Sequence, residues 1–80
     1  MISKKEVISI ISKALNVSNK KIKVTSSSKD IEEWDSLGQL NIMMSLDKKL
    51  KGKILKISSI SEAYSVQKII KILEKNKLVK

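Results

Sequence analysis

A serine that directly follows an aspartate, at the expected start of a helix, is the residue in this sequence best placed for chemistry. Asp35 is a good N-cap because its carboxylate can accept from the backbone amides of the first helical turn. Ser36 then lies in that turn, where unpaired N–H groups and the positive end of the helix dipole favour an attached phosphate. The same pair is also simply a good helix start, so it does not by itself decide between the two interpretations.

The absence of cysteine and histidine limits the chemistry that the chain can perform. Without cysteine it has no disulfide, no thiolate metal site and no thiol nucleophile. Without histidine it lacks the usual metal ligand and the usual proton shuttle near neutral pH. No cluster of catalytic carboxylates remains once the acids beside Ser36 are explained by the helix start. We therefore expect a protein that is not an enzyme.

The net charge of +9 over 80 residues is unevenly distributed. Residues 1–29 carry seven Lys and one Glu, and residues 48–80 carry ten Lys and two Glu. Residues 30–47 carry five acids and no Lys, so the middle of the chain is acidic. Nucleic-acid readers usually use arginine for bidentate contacts, and this chain has none. We favour biased codon composition as the explanation of the many lysines.

Two longer helices are predicted in the first part of the chain, with a long loop between them. Residues 3–6 fit a capping box, and apolar residues at helical spacing follow, which predicts a helix over residues 4–15. Residues 16–35 break that periodicity but keep scattered apolar anchors, so the loop should pack over the helices. The next helix should extend over residues 35–51, with Gly52 at the first position after its end.

A very short third helix and a longer fourth helix are predicted toward the C-terminus. Residues 59–62 fit a second capping box, which predicts a helix that ends near Tyr64. Ser65 can cap the last helix, and from Asn76 the basic tail is expected to fray. The apolar stripe of the last helix is Val66, Ile69, Ile70 and Leu73. Because no β alternation is present, residues 1–80 are predicted to form one all-α domain.

The second long helix has two apolar faces. The residues that share one face are Ile42, Met43, Leu46 and Leu50, and those roughly opposite are Leu37, Leu40 and Met44. A helix with a single core contact needs only one apolar stripe. Either this helix is buried on all sides, or the second set forms an exposed ridge. We favour the ridge, and the exposure of its three side chains tests that prediction.

No targeting segment is visible in the sequence. The apolar stretch over residues 7–12 is interrupted by serines, and it is too short to span a membrane. We expect a soluble, cytoplasmic protein.

Residues 31–40 resemble the phosphopantetheine attachment motif of the acyl carrier proteins. The similarity continues along nearly the whole chain in the order and spacing of the predicted helices, the long first loop, and Ser65-Val66-Gln67 at the start of the last helix. The matching segment is Ile31-Glu32-Glu33-Trp34-Asp35-Ser36-Leu37-Gly38-Gln39-Leu40.

This resemblance implies a carrier modified with 4′-phosphopantetheine and a four-helix acyl-carrier-like bundle with three longer helices, one short third helix and a long first loop. A phosphopantetheinyl transferase would move the group from coenzyme A to the Ser36 hydroxyl, and Asp35 would cap the helix and help to engage the transferase. The arm ends in a thiol, so acyl-loading and acyl-transferring enzymes could exchange thioesters on a chain without cysteine. The carrier is expected to be a monomer, with no nucleic-acid partner and no membrane insertion.

The resemblance also implies two further sets of residues. The ridge of Leu37, Leu40 and Met44, together with Asp47, would dock partner enzymes. In the family an acyl chain can slip between the helices, and the residues implied to line that space here are Leu46, Ile54, Ile60 and Ala63.

The charge of this chain departs from the family pattern. Carriers of the family are usually strongly acidic, whereas Gly38 and Asn41 stand where acids are common, and Lys48 and Lys49 follow Asp47. Electrostatic steering of partners should therefore be weaker than usual, or confined to the acidic residues within 30–47. We expect dedicated partners in a specialised pathway in place of the general fatty-acid synthesis enzymes. A basic helical nucleic-acid-binding module and a carrier-like scaffold that is never modified are the alternatives.

Overall fold

Three α-helices form the frame of the domain. The computed structural model describes residues 2–80, with α1 at Lys4–Ala14, α2 at Ser36–Lys49 and α3 at Val66–Lys75. Two 3-10 helices, Asn19–Lys21 and Ser58–Glu62, lie in the connections. Over residues 2–80 there are two isolated bridges and no β-strand. The predicted all-α class is therefore confirmed, and within the same residues no helix is both long and apolar enough to cross a membrane.

The starts of α1 and α3 are fixed by serine caps, as the sequence predicts. The Ser3 hydroxyl accepts from the Glu6 amide at 3.2 Å, and the Glu6 carboxylate accepts from the Ser3 amide at 3.3 Å, which completes the capping box. The Ser65 hydroxyl accepts from the Lys68 amide at 3.1 Å. These bonds satisfy amides that have no partner inside the helix, and they fix where each helix begins.

The segment predicted as a short third helix forms the 3-10 helix Ser58–Glu62, which begins after Ile57 with no side-chain cap. The predicted capping box at residues 59–62 is wrong, because the cap position is Ile57, two residues before Ser59, and the Ser61 hydroxyl donates back to the Ser58 carbonyl at 3.2 Å. The predicted four-helix bundle is confirmed only as an all-helical domain with three α-helices.

Every α-helix is followed by a left-handed residue that is not glycine. The φ angles of Asn16, Lys51 and Lys77 are 57°, 57° and 59°. After α2, the Gly52 amide donates to the Asp47 carbonyl at 2.9 Å, which is the hydrogen bond of a Schellman motif. The sequence predicts Gly52 at the first position beyond this helix. The structure has Lys51 there, and Gly52 follows with a φ of 82°.

The packing places α1 between the other two α-helices. α1 contacts both α2 and α3, and the 3-10 helix Ser58–Glu62 contacts α2 and α3. α1 and α2 are antiparallel, because Glu6 near the start of α1 lies 3.9 Å from Lys49 at the end of α2. The largest of the fully buried side chains are Val7, Ile11, Trp34, Ile42, Leu46, Ile54, Val66, Ile69 and Leu73.

The long loop and the C-terminus are both held by backbone hydrogen bonds. In the loop, the Ser28 amide donates to the Tyr64 carbonyl at 2.9 Å, and the Val66 amide donates to the Ser26 carbonyl at 3.0 Å. At the C-terminus, the Lys80 amide donates to the Ile2 carbonyl at 2.9 Å, and the side chains of Leu78 and Val79 are buried. The predicted fraying of the tail is wrong, because this pairing and burial hold it against the domain.

Candidate functional site

The candidate serine is the first residue of α2 and is exposed to solvent. Asp35 caps the helix as predicted, since its Oδ1 atom accepts from the Gly38 amide at 2.8 Å and its carbonyl accepts from the Gln39 amide at 2.8 Å. The amides of Ser36 and Leu37 have no partner inside the helix. The exposed hydroxyl therefore lies beside two backbone donors at the positive end of the helix dipole, where an anionic group is favoured.

A glycine at the third helical position allows the loop before α2 to approach the helix closely. A Cβ atom built on Gly38 would overlap the backbone carbonyl oxygen of Glu33 and would lie 2.7 Å from Cδ2 of Leu15. The carbonyl belongs to the chain itself, so it cannot rotate away as a side chain could. This close approach holds residues 31–34 against the first turn of α2. It also explains why position 38 is a glycine.

A buried polar network lies one turn after the candidate serine. The indole Nε1 of Trp34 donates to Oε1 of Gln39 at 2.7 Å. Nε2 of Gln39 donates to the carbonyls of Ile60 at 3.2 Å and Ala63 at 3.1 Å. Trp34 and Gln39 are 2 % and 4 % exposed. We call these four residues the Gln39 network, and it joins the loop before α2, α2 itself and the segment around the second 3-10 helix.

The apolar ridge next to Ser36 faces solvent. Leu37, Leu40 and Met44 are 66 %, 47 % and 55 % exposed. On the opposite face, Ile42, Leu46 and Leu50 are buried and Met43 is half-buried. The exposure predicted for the ridge is confirmed, and its role in docking stays a prediction.

The acidic residues before α2 remain at the surface, and one of them is paired. Glu33 lies 3.1 Å from Nζ of Lys21, and both side chains are exposed. The pKa of Glu33 is lowered from its ordinary value of 4.5, first by a hydrogen bond from its own backbone amide and then by the Lys21 ammonium group. Because the pair is exposed, it contributes little to stability.

Asp47 has a structural role that the sequence did not reveal. Its Oδ1 atom accepts from the amides of Ile54 and Leu55, each at 3.0 Å, and the side chain is half-buried. These bonds hold the connection after α2 against the end of that helix. Its part in docking stays a prediction.

The four residues predicted to line an acyl pocket all lie in the core. Leu46, Ile54, Ile60 and Ala63 are between 0 % and 2 % exposed. Surface depressions of about 470, 370 and 180 Å³ are lined by other residues. The largest of these runs between α1 and α2, and residues that line it include Ile10, Lys13 and Lys48. Because the chain has no His or Cys, a metal site would need a cluster of acidic residues. Over residues 2–80 no group of three or more acidic residues could hold a metal ion.

Gln39 has a role in this region that the sequence alone did not single out. Its position was visible in the pattern, because it falls three residues before Ile42 and seven before Leu46, on the apolar face of α2. A polar residue on a buried helix face has to find hydrogen-bond partners, which points to a network. The sequence could not show that those partners are the Trp34 indole and two distant carbonyls.

Comparisons of this chain with models of protein families, with curated proteins and with solved structures found no match.

Proposed function

We propose that this chain is an acyl carrier protein whose Ser36 is modified with 4′-phosphopantetheine. The observation that carries the proposal is the exposed hydroxyl at the first position of α2, beside the capping carboxylate of Asp35. The motif of residues 31–40 supports the same assignment. In this proposal the 3-10 helix Ser58–Glu62 takes the place of the short third helix of a carrier bundle.

The modification transfers 4′-phosphopantetheine from coenzyme A to the hydroxyl oxygen of Ser36. Oγ of Ser36 forms a bond to the β-phosphorus of coenzyme A, while the bond from that phosphorus to the bridging oxygen breaks. Adenosine 3′,5′-bisphosphate leaves, and the hydroxyl proton passes to a base of the transferase, which also supplies the magnesium ion. The chain itself needs no general base, which agrees with its lack of histidine. The bound group supplies a terminal thiol, on which acyl groups are carried as thioesters.

The residues around Ser36 fit a phosphodiester. The Asp35 carboxylate is directed to the Gly38 amide, so the amides of Ser36 and Leu37 stay available to oxygen acceptors. Gly38 keeps the first turn of α2 tight against residues 31–34, which leaves Ser36 on the solvent side of the helix. An attached arm can therefore extend into solvent without displacing the core.

Partner enzymes are proposed to dock on the exposed ridge of Leu37, Leu40 and Met44. This ridge begins at the residue after Ser36 and continues along α2, so a bound partner would cover both the apolar side chains and the attached arm. The exposed face of α2 carries no acid between Asp35 and Asp47, and Asp47 is engaged with the amides of Ile54 and Leu55. Apolar contact should therefore outweigh electrostatic steering, which favours dedicated partners of a specialised pathway.

Intact-mass analysis tests the proposal. The protein is incubated with coenzyme A, magnesium and a broad-specificity phosphopantetheinyl transferase, alongside Ser36→Ala and the matched control Ser59→Ala. Ser59 is also exposed, but it lies in the 3-10 helix Ser58–Glu62 without a capping role. We expect a gain of one phosphopantetheine in the wild type and in the control, and none in Ser36→Ala. No gain in the wild type would favour an unmodified scaffold.

The docking surface has a separate test. Leu40→Ala is expected to lower kcat/KM of the transferase by roughly 5–30-fold, because apolar residues at the centre of an interface each contribute about 1–2 kcal/mol. Leu55→Ala is the control, since Leu55 is 53 % exposed and lies outside α2. An equal effect of the two substitutions would show that the ridge is not the docking surface.

A further inference from the structure

The Gln39 network spans the boundary between α2 and the segment around the second 3-10 helix. α2 packs against Ser58–Glu62, and the bonds from Gln39 to Ile60 and Ala63 cross that contact. Gln39 lies three residues after Ser36, about one turn farther along α2, and its side chain is buried. A group attached to Ser36 that turned inward between these two segments would meet the Gln39 side chain.

The network uses every hydrogen-bonding group of the Gln39 amide. The carbonyl accepts from the Trp34 indole, and the amino group donates to two carbonyls. Among the described residues no buried side-chain nitrogen or oxygen lacks a partner. Moving this side chain aside would leave an indole N–H and two backbone carbonyls unpaired in the core, and an apolar acyl chain could not satisfy any of them.

The interior that an acyl chain would have to enter is already filled by the protein's own side chains. Leu46 and Ile54 are completely buried, and Ile60 and Ala63 are 2 % and 1 % exposed. Close-packed interiors do not accept extra methylene groups without displacement of their neighbours. An inserted chain would therefore have to break the network and also separate α2 from the 3-10 helix.

We infer that the Gln39 network keeps cargo outside the helical core, so that this carrier takes short or polar acyl groups and not long fatty acyl chains. The inference rests on the proposed modification of Ser36, and it names the class of cargo for that site. The network closes the boundary in the unmodified protein, and a short acyl group at the end of the arm stays in solvent, where partner enzymes reach it.

Loading the wild-type protein with two cargoes tests this inference. The transferase attaches acetyl- or octanoyl-phosphopantetheine to Ser36 from the corresponding acyl coenzyme A, and intact mass confirms each product. The indole N–H signal of Trp34 and the amide signals of Ile54, Ile60 and Ala63 are then compared by two-dimensional NMR. We expect the same positions for these signals in both forms. Shifts in them that appear only with octanoyl would overturn the inference and leave the proposed function intact.

The rate of thioester cleavage by hydroxylamine gives a second measurement on the same samples. We expect acetyl and octanoyl thioesters to be cleaved at similar rates on the wild type. A chain that spent nine tenths of its time inside the core would be cleaved about tenfold more slowly, because only the exposed fraction reacts. Such protection in the wild type would also overturn the inference.

Substitution of Gln39 tests whether the Gln39 network, and not α2 in general, keeps the acyl chain out of the core. Gln39→Ala removes the amide and opens space, so octanoyl on this variant should become protected from hydroxylamine severalfold relative to acetyl. Asn41→Ala, on the exposed side of the same helix, should behave as the wild type. If Gln39→Ala does not fold, the two cargoes on the wild type decide the question alone. If Ser36 takes up neither cargo, the proposed function itself fails, and the inference fails with it.

Discussion

Gly38→Ala should destabilise the protein, although glycine to alanine is ordinarily a favourable change inside a helix. Alanine at an unhindered helical position gains about 1 kcal/mol over glycine. Here the added Cβ atom would overlap the Glu33 carbonyl oxygen and approach Cδ2 of Leu15 to 2.7 Å. Overpacking costs about 1–3 kcal/mol, and the rigid backbone contact favours the upper part of that range. The net expectation is a loss of about 1–2 kcal/mol.

Thermal unfolding followed by tryptophan fluorescence measures this effect, because Trp34 is the single tryptophan and is buried. For a domain of this size the loss corresponds to a fall in Tm of roughly 5–15 °C. Asn41→Ala is the matched control, since Asn41 is exposed on the same helix, and it should raise Tm slightly. If Gly38→Ala also raises Tm, the close approach of residues 31–34 to α2 does not exist.

Three further predictions concern the helix ends and the surface acids. Asp35→Ala should lower the free energy of unfolding by about 1 kcal/mol through loss of the cap, whereas Asp35→Asn should keep most of the stability. Because Asp35→Asn keeps the cap and removes the charge, slow modification of this variant would show that transferase recognition uses the carboxylate charge. Lys51→Gly should raise Tm by roughly 2–8 °C, because glycine adopts the left-handed conformation at φ 57° without the steric strain of a side chain. A lower Tm would contradict the left-handed conformation of residue 51. Lys21→Met should raise the pKa of Glu33 only part of the way to 4.5, because the Glu33 amide is the larger cause, and NMR titration measures it. Since the pKa of Glu33 is lowered in the folded state, the Glu33 carboxylate stabilises the fold above pH 4.5, and this contribution is lost as the pH falls through the folded-state pKa.

The parts of the fold that follow from local sequence rules were predictable. Ser3, Asp35 and Ser65 each accept a hydrogen bond from the backbone amide three residues later, so the starts of the three α-helices follow from local sequence. The stripe of α3 is buried in full because its spacing leaves one apolar face. The two-faced pattern of α2 likewise indicated an exposed ridge beside the candidate serine.

The parts that depend on distant segments were not predictable from one sequence. The C-terminal tail is held by pairing with Ile2 at the other end of the chain, which no local pattern reveals. The 3-10 helix Ser58–Glu62 has no serine cap and follows a turn in which the Ile57 amide donates to the Ile54 carbonyl. Gln39 falls on the apolar face of α2, but only the folded chain shows that its partners include the carbonyls of Ile60 and Ala63. The folded chain likewise brings Asp47 to the amides of Ile54 and Leu55.

The position of the modified residue decides whether Ser36 is the attachment site. No lysine lies between Lys29 and Lys48, so trypsin releases residues 30–48 as one fragment whose only hydroxyl side chains are Ser36 and Ser45. After treatment with coenzyme A and the transferase, fragment-ion masses should place one phosphopantetheine on Ser36. Phosphopantetheine on Ser45 or on a different fragment, or the absence of any modification, would rule out Ser36 as the attachment site.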